Sequence, residues 1–160
     1  MARRALALGL AAAWLGGAAC SSAEGPSPRG RRSHPSGARL AKAVIRTAKS
    51  YLAEEEKGRK EPADCSDLVR KVFKENGLDL PRTALEMSLQ GKPVESAKDL
   101  RMGDLVFFSG EKVSRIVGHV GIYVKNGIFI HKPKSGEVAM ESLYSDYYRQ
   151  RYLTGRRVIP

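Results

Sequence analysis

The segment GHVGIYVKNGIFIH, residues 118–131, constrains the fold more than any other part of the chain. Its apolar residues fall at every second position on both sides of Asn126-Gly127, the pattern of two strands joined by a tight turn. Val120, Ile122 and Val124 share one face of the first strand and Ile128 and Ile130 one face of the second, so the five are expected in the core in either register. Register decides what lies on the opposite face. A two-residue turn at Asn126-Gly127 pairs Lys125 with Ile128 and sends His119 and His131 to opposite faces. A three-residue loop, Lys125-Asn126-Gly127 with Gly127 in a left-handed bulge, pairs Val124 with Ile128 instead. His131 then faces Gly121, with His119 diagonally beside it at roughly 7–8 Å between Cα atoms. The sequence leaves both registers open, although the chain has only three histidines.

Before the hairpin the apolar period is helical. In ARLAKAVIRTAKSYLAEEEKG, residues Leu40, Val44, Ile45, Ala48, Tyr51 and Leu52 recur at helical spacing, with Gly58 beyond the end. A second helix is expected at CSDLVRKVFKENG, burying Leu68, Val69, Val72 and Phe73. Asp64 stands at its cap position, Asp67 three residues on, and Gly77 at its stop. PRTALEMSLQG suggests a loop and a short helix, and SDYYRQRY a short helix or turn. DLVFFSG, EVAME and RRVIP are further strand candidates. Helices followed by antiparallel strands predict an α+β domain over residues 38–160.

The first residues belong elsewhere. MARR, the apolar run from Ala5 to Leu15 and the small-residue stretch GGAAC predict a secretory signal over residues 1–19. The run falls short of the ~20 apolar residues that span a bilayer, although an uncleaved anchor is the alternative. Residues 20–37 are rich in Ser, Pro, Gly and Arg and predict a flexible linker that includes His34. Cys20 resembles the lipid-bearing cysteine of a bacterial lipoprotein, with Gly17 where such signals usually place leucine; plain cleavage after Ala19 is the other option. The expected location is the cell envelope, as a membrane-anchored lipoprotein facing the periplasm. Loss of Arg3 and Arg4 takes the formal charge from +11 to +9, which favours anionic surfaces such as wall polymers or lipid head groups. Nucleic acid is the rival partner of a basic chain; the export signal and the absence of aromatic residues among the basic runs argue against it.

Of the two cysteines, Cys65 alone lies in the expected domain. A metal site needs three or four ligands at close spacing, and no HxH or CxxC cluster exists, so neither a metal nor a cofactor is expected. At the start of a helix, Cys65 meets unpaired N–H groups and the positive dipole end, which stabilise a thiolate. Spacing alone leaves a reactive thiol, titrating well below the usual ~8.5, and a small buried hydrophobe equally open.

DCSDLV, PRTA, GDLVFF, GHVGIYV and FIH together resemble the NlpC-type family of cell-wall cysteine peptidases, in order and in spacing, over most of residues 64–132. The resemblance implies a circularly permuted papain-like fold and a triad with Cys65 as nucleophile, His119 as base and His131 orienting His119. It implies peptidoglycan peptides as substrate, cut within stem peptides or at crosslinks, by a monomer. Asp64 and Ser66 would adjoin the substrate's amino end, and Arg82 and Thr83 match the family's PRT. Two departures bear on substrate choice. Asp67 follows Cys65-Ser66 where the family usually has glycine, and a Tyr-x-Trp-Gly-Gly stretch is missing before the nucleophile. The only tryptophan is Trp14, and Tyr51 is the tyrosine that could stand in for the missing one. Two other functions stay open: a wall-binding lipoprotein whose altered pocket no longer cuts, and a thiol amidase or acyltransferase on another acyl group.

Overall fold

A computed structural model describes residues 36–52 and 60–160. The expected signal segment 1–19, the expected lipidation site Cys20, the linker up to residue 35 and Gly58 lie outside the described residues.

Two helices form where apolar side chains recur every three to four positions. Helix α1 (Gly37–Ser50) buries Ala41, Val44, Ile45 and Ala48, and α2 (Cys65–Glu75) buries Leu68, Val69, Val72 and Phe73. Leu40, Tyr51 and Leu52 are half-buried against the same core. Each fully buried Val, Leu or Phe contributes about 1.5–3 kcal/mol relative to an exposed one. Asp64 caps α2 by accepting from the Asp67 N–H at 2.8 Å, and Gly77, at φ +82°, ends it in the left-handed conformation. Helix α3 (Ala84–Met87) carries a capping box between Thr83 and Glu86, and α4 (Asp146–Arg151) lies between the last two strands.

Six strands form one antiparallel sheet: β1 (Lys92–Val94), β2 (Leu105–Ser109), β3 (Val117–Lys125), β4 (Ile128–His131), β5 (Ala139–Ser142) and β6 (Tyr152–Arg157). Their spatial order is β1-β6-β2-β3-β4-β5. The helical core covers one face through Leu105, Phe107, Val120, Ile122, Val124 and Ile130. The other face carries a smaller cluster of Val106, Phe108, Tyr123, Phe129 and Leu143. The fold is therefore α+β, as expected.

Three expectations change. The last strand, at 152–157, begins earlier than RRVIP and shares only Arg156 and Arg157 with it, and β1 pairs with it although no sequence signal announced β1. Ile128 is only half-buried at the turn and stays outside the core that takes the rest of its stripe. The hairpin also combines features of both registers. Asn126 (φ 52°) and Gly127 (φ 77°) are both left-handed, giving a two-residue turn closed by Lys125 opposite Ile128. A bulge between Tyr123 and Lys125 then shifts the pairing to Tyr123–Phe129 and Ile122–Ile130. That shift brings both histidines to one face without the three-residue loop. Glycine suits position 127, since its left-handed φ strains any side chain and a Cβ there would lie 2.2 Å from the Tyr144 ring and displace it.

Candidate active site

By alternation from Tyr123 and Phe129, His119 and His131 project from the face of the smaller cluster. His119 Nε2 lies 2.8 Å from His131 Nδ1, the rings nearly perpendicular at 87°. His131 is 1% exposed and its other nitrogen, Nε2, lies 3.2 Å from the Tyr148 hydroxyl. Phe108, Phe129 and Tyr148 wall the pair. Tyr148 is the residue that sequence reasoning missed. It reaches back from the six-residue α4, and no local pattern marks it.

Cys65 comes from the opposite, helical face, and the meeting point follows from the backbone. Tyr123 bonds towards β2, its N–H donating to Asp104 O and its carbonyl accepting from Gly103 N. By strand alternation the Val120 amide points towards β4, which ends at His131 and leaves that position unpaired. The Cys65 sulfur lies against this amide, which favours the thiolate, as do the N–H groups of Cys65 and Ser66. The thiol thus sits in the margin of the sheet, one residue along the strand from His119. Among the described residues no hydrogen bond joins the thiol to either ring.

Electrostatics correct one expectation. Burial, the largest influence, pushes the Cys65 thiol up despite the helix start and the three amides; the Asp64 charge also raises it. Burial lowers His119 to about 4 and, with the neighbouring His119 charge, lowers His131 to about 3. The resting site is a neutral thiol beside two neutral imidazoles, not a preformed thiolate. Burial also pushes the Tyr148 phenol up to about 12, so it stays protonated.

The same burial predicts acid sensitivity. Unfolded histidines take up protons near their ordinary 6.5, whereas the folded pair resists down to about 4 and 3. Below 6.5 the unfolded chain therefore binds more protons, and stability falls as the pH falls. Each histidine costs up to about 1.4 kcal/mol per pH unit in that window. Urea unfolding at pH 7, 6 and 5 should show falling midpoints that His131→Gln flattens; midpoints flat in the parent protein would contradict a buried neutral pair.

Asp64 and Ser66 adjoin Cys65, but their side chains face one another and Arg82. Asp64 Oδ1 accepts from Ser66 Oγ (2.8 Å), Asp67 N (2.8 Å) and Arg82 Nη1 (3.1 Å), and Oδ2 from Arg82 Nη2 (2.6 Å). The Arg82 guanidinium holds the Asp64 carboxyl well below the usual carboxylate range. Asp67 accepts from Ala63 N and pairs with Lys71, both at 2.8 Å, so it works as a helix-end residue. Tyr51 is not brought to this cluster. Its hydroxyl donates to Glu75 Oε1 at the far end of α2, about 15 Å along the helix from Cys65 at 1.5 Å per residue. Among the described residues no group of three or more His, Cys, Asp or Glu is placed to hold a metal.

The model of the NlpC/P60 family matches residues 53–157. The chain belongs to the NlpC/P60 family. It is 42% identical over 101 residues to the murein DD-endopeptidase MepS/murein LD-carboxypeptidase of Escherichia coli K12, covering 62% of this chain and 52% of that protein. It is 36% identical over 95 residues to the gamma-D-glutamyl-L-lysine dipeptidyl-peptidase of Bacillus subtilis 168, covering 59% of this chain and 32% of that protein. The chain thus spans about half the length, or less, of these curated relatives. Among solved structures, an NlpC/P60 family protein from Bacillus cereus superimposes with a TM-score of 0.64 at 27% identity, over 75% of this chain and 40% of that one. Among the described residues no helix is long and apolar enough to cross a membrane.

Proposed function

We propose that this NlpC/P60 protein is a peptidoglycan endopeptidase that hydrolyses stem-peptide or crosslink amide bonds with Cys65, His119 and His131. The observation that carries the reading is the 2.8 Å bond between His119 and His131, beside a sulfur that lies against the next residue's amide. The names of the family's murein endopeptidases support the substrate class. An exported, envelope-bound protein, monomeric and with lipid on Cys20, belongs to the same reading.

The hydrogen-bond string sets the proton arrangement that base catalysis requires. His119 Nε2 faces His131, so Nδ1 is the nitrogen available to the thiol. For Nδ1 to be a lone pair, the proton of neutral His119 must sit on Nε2 and be donated to His131 Nδ1. His131 then carries its own proton on Nε2 and donates it to the Tyr148 oxygen. The sulfur attacks the scissile carbonyl as Nδ1 takes its proton, which avoids a free thiolate in a site that disfavours one. The Cys65 N–H supports the oxyanion, His119 passes the proton to the leaving amine, and water releases the acyl group from sulfur.

Tyr148→Phe removes the acceptor for the buried His131 Nε2–H and lets His131 turn to the wrong tautomer. An unsatisfied buried donor costs about 1–3 kcal/mol. The expected result is a fall of about tenfold in kcat with KM within about twofold; an unchanged kcat would remove Tyr148 from the string.

Incubating purified peptidoglycan with the protein and identifying the released peptides by mass spectrometry tests the function. New free amines on stem-peptide fragments are expected. Wall binding without any released peptide would overturn hydrolysis and favour a wall-binding role. Release of an amide-linked group other than a wall peptide would favour an amidase or acyltransferase.

A further inference from the structure

Helix α1 exposes a run of like charge that nothing in the described domain answers. Arg39, Lys42, Arg46 and Lys49 are all exposed, and the helix contains no acidic residue. At about 100° per residue the four fall within an arc of about 80°, turned about 130° from the middle of the buried face. They span about 15 Å along the helix. None makes an ion pair or a side-chain hydrogen bond among the described residues. At the head of the helix, a cavity of about 390 Å³ has Lys42 and the exposed Arg101 in its lining. Asp104, the acid in the same wall, is already held by Arg157.

A merely solvated helix face interleaves acids with its cations, because like charges three or four residues apart repel. Here Lys42 and Arg46 stand four apart, and Arg39–Lys42 and Arg46–Lys49 three apart. The stripe therefore weakens the helix in the free domain, and a negatively charged partner relieves the repulsion. The same sign continues upstream. From Gly25 to Ala53 the sequence has no Asp or Glu, and Arg29, Arg31 and Arg32 precede the four cations of α1.

The geometry limits what that partner is. The apolar face of α1 is committed to the core through Ala41, Val44, Ile45 and Ala48, so the helix lies on a surface rather than inserting into it. A plane of lipid phosphates suits such a stripe, since each Lys or Arg held near it adds to the attraction. Position in the chain favours lipid over a wall polymer. Residues 20–37 reach at most about 60 Å, so an anchor at Cys20 keeps α1 close to the head groups. Two such attachments reinforce one another through local concentration. We infer that the α1 stripe docks the domain on anionic phospholipid head groups. His119 and His131 project from the sheet face that α1 does not cover, so docking leaves them open. The inference goes beyond hydrolysis and draws on the envelope reading above only in choosing lipid.

Flotation of the exported form, from Cys20 onward and without lipid, provides the test. The probes are vesicles of phosphatidylcholine alone and vesicles with about one-third phosphatidylglycerol. Binding is expected on the anionic vesicles only, at about 0.1 M salt, and should vanish towards about 1 M. Arg39→Gln, Lys42→Gln, Arg46→Gln and Lys49→Gln together should weaken it by about 100-fold or more, the size expected when four surface cations are lost. Lys74→Gln, Lys92→Gln, Lys112→Gln and Lys125→Gln remove the same charge from other exposed positions. That control should stay within about threefold of the parent protein, because it leaves the stripe whole. No flotation of the parent protein, or an equal loss in the two variants, would overturn the assignment. So would a stripe variant that still floats but no longer sediments with purified wall, which gives the stripe to a wall polymer.

Discussion

Replacing Cys65 with serine should lower peptide release by about 10⁴-fold or more and leave the fold intact. The size follows from the resting protonation state. His119 is a neutral imidazole lowered to about 4, a weak base facing a thiol whose proton burial already holds more firmly than usual. A hydroxyl holds its proton far more tightly, and loss of a nucleophile in a comparable constellation removes nearly all of the chemical acceleration. The fold should be indifferent because the α2 cap is made by Asp64 and Asp67 rather than by the thiol. Peptide release by high-resolution chromatography and a thermal melt on the same sample check both halves. His119→Gln should cost about 10²–10⁴-fold, the usual contribution of a general base. The pH profile carries a matching sign. A depressed imidazole keeps its lone pair in acid, so activity should persist below 6.5 and fail only towards about 4, provided the protein remains folded. A serine protein that retains a tenth of the parent rate would remove Cys65 from the chemistry.

What the sequence disclosed, and what it hid, divides along the range of the physics involved. The buried faces of α1 and α2 were legible because helical spacing and a buried stripe are the same fact. The Asp64 cap was legible because it acts over three residues. The hairpin was half legible. Asn126-Gly127 marked the turn, but the bulge between Tyr123 and Lys125 that places the histidines on one face has no residue signal of its own in the hairpin. Strand β1 was invisible for a similar reason. Lys92-Pro93-Val94 buries only Val94, and its strand character comes from pairing with β6. β6 itself shows no clean alternation, since most of its residues are half-buried between two neighbouring strands. Tyr148 and the neutral thiol were out of reach because both are products of long-range burial. A helix start argues for an anion, and only the packed surroundings show that desolvation outweighs it. Tyr51 was misplaced by the opposite error, a residue type matched without its position.

The largest stability effect expected in the described domain lies far from the thiol, at Arg157. Its partner Asp104, in the GDLVFF stretch, has a side chain only 3% exposed. Arg157 grips it with Nε to Oδ1 at 3.0 Å and Nη2 to Oδ2 at 2.8 Å, while Nη2 also donates to Asp99 O at 2.9 Å. The Arg101 N–H supplies one further bond to Oδ2 at 2.8 Å. Arg157→Met keeps much of the volume of the stem but strands the carboxylate with a single amide donor. Breaking a buried pair from one side typically costs about 3–5 kcal/mol, because the remaining charge has lost both water and partner. For a domain of this size that corresponds to a fall of roughly 10–20 °C in Tm. Adding Asp104→Asn to Arg157→Met removes the stranded charge and should recover part of the loss, which a charge-independent packing defect would not allow. The site should feel the change only through unfolding. Arg157 ends β6, which pairs with β2, and β2 in turn backs the strand that presents His119. Well below its melting temperature the variant should keep near-parental kcat. A loss under 1 kcal/mol by urea unfolding, or a fall in kcat without loss of fold, would mean that the pair acts on something other than the docking of β6.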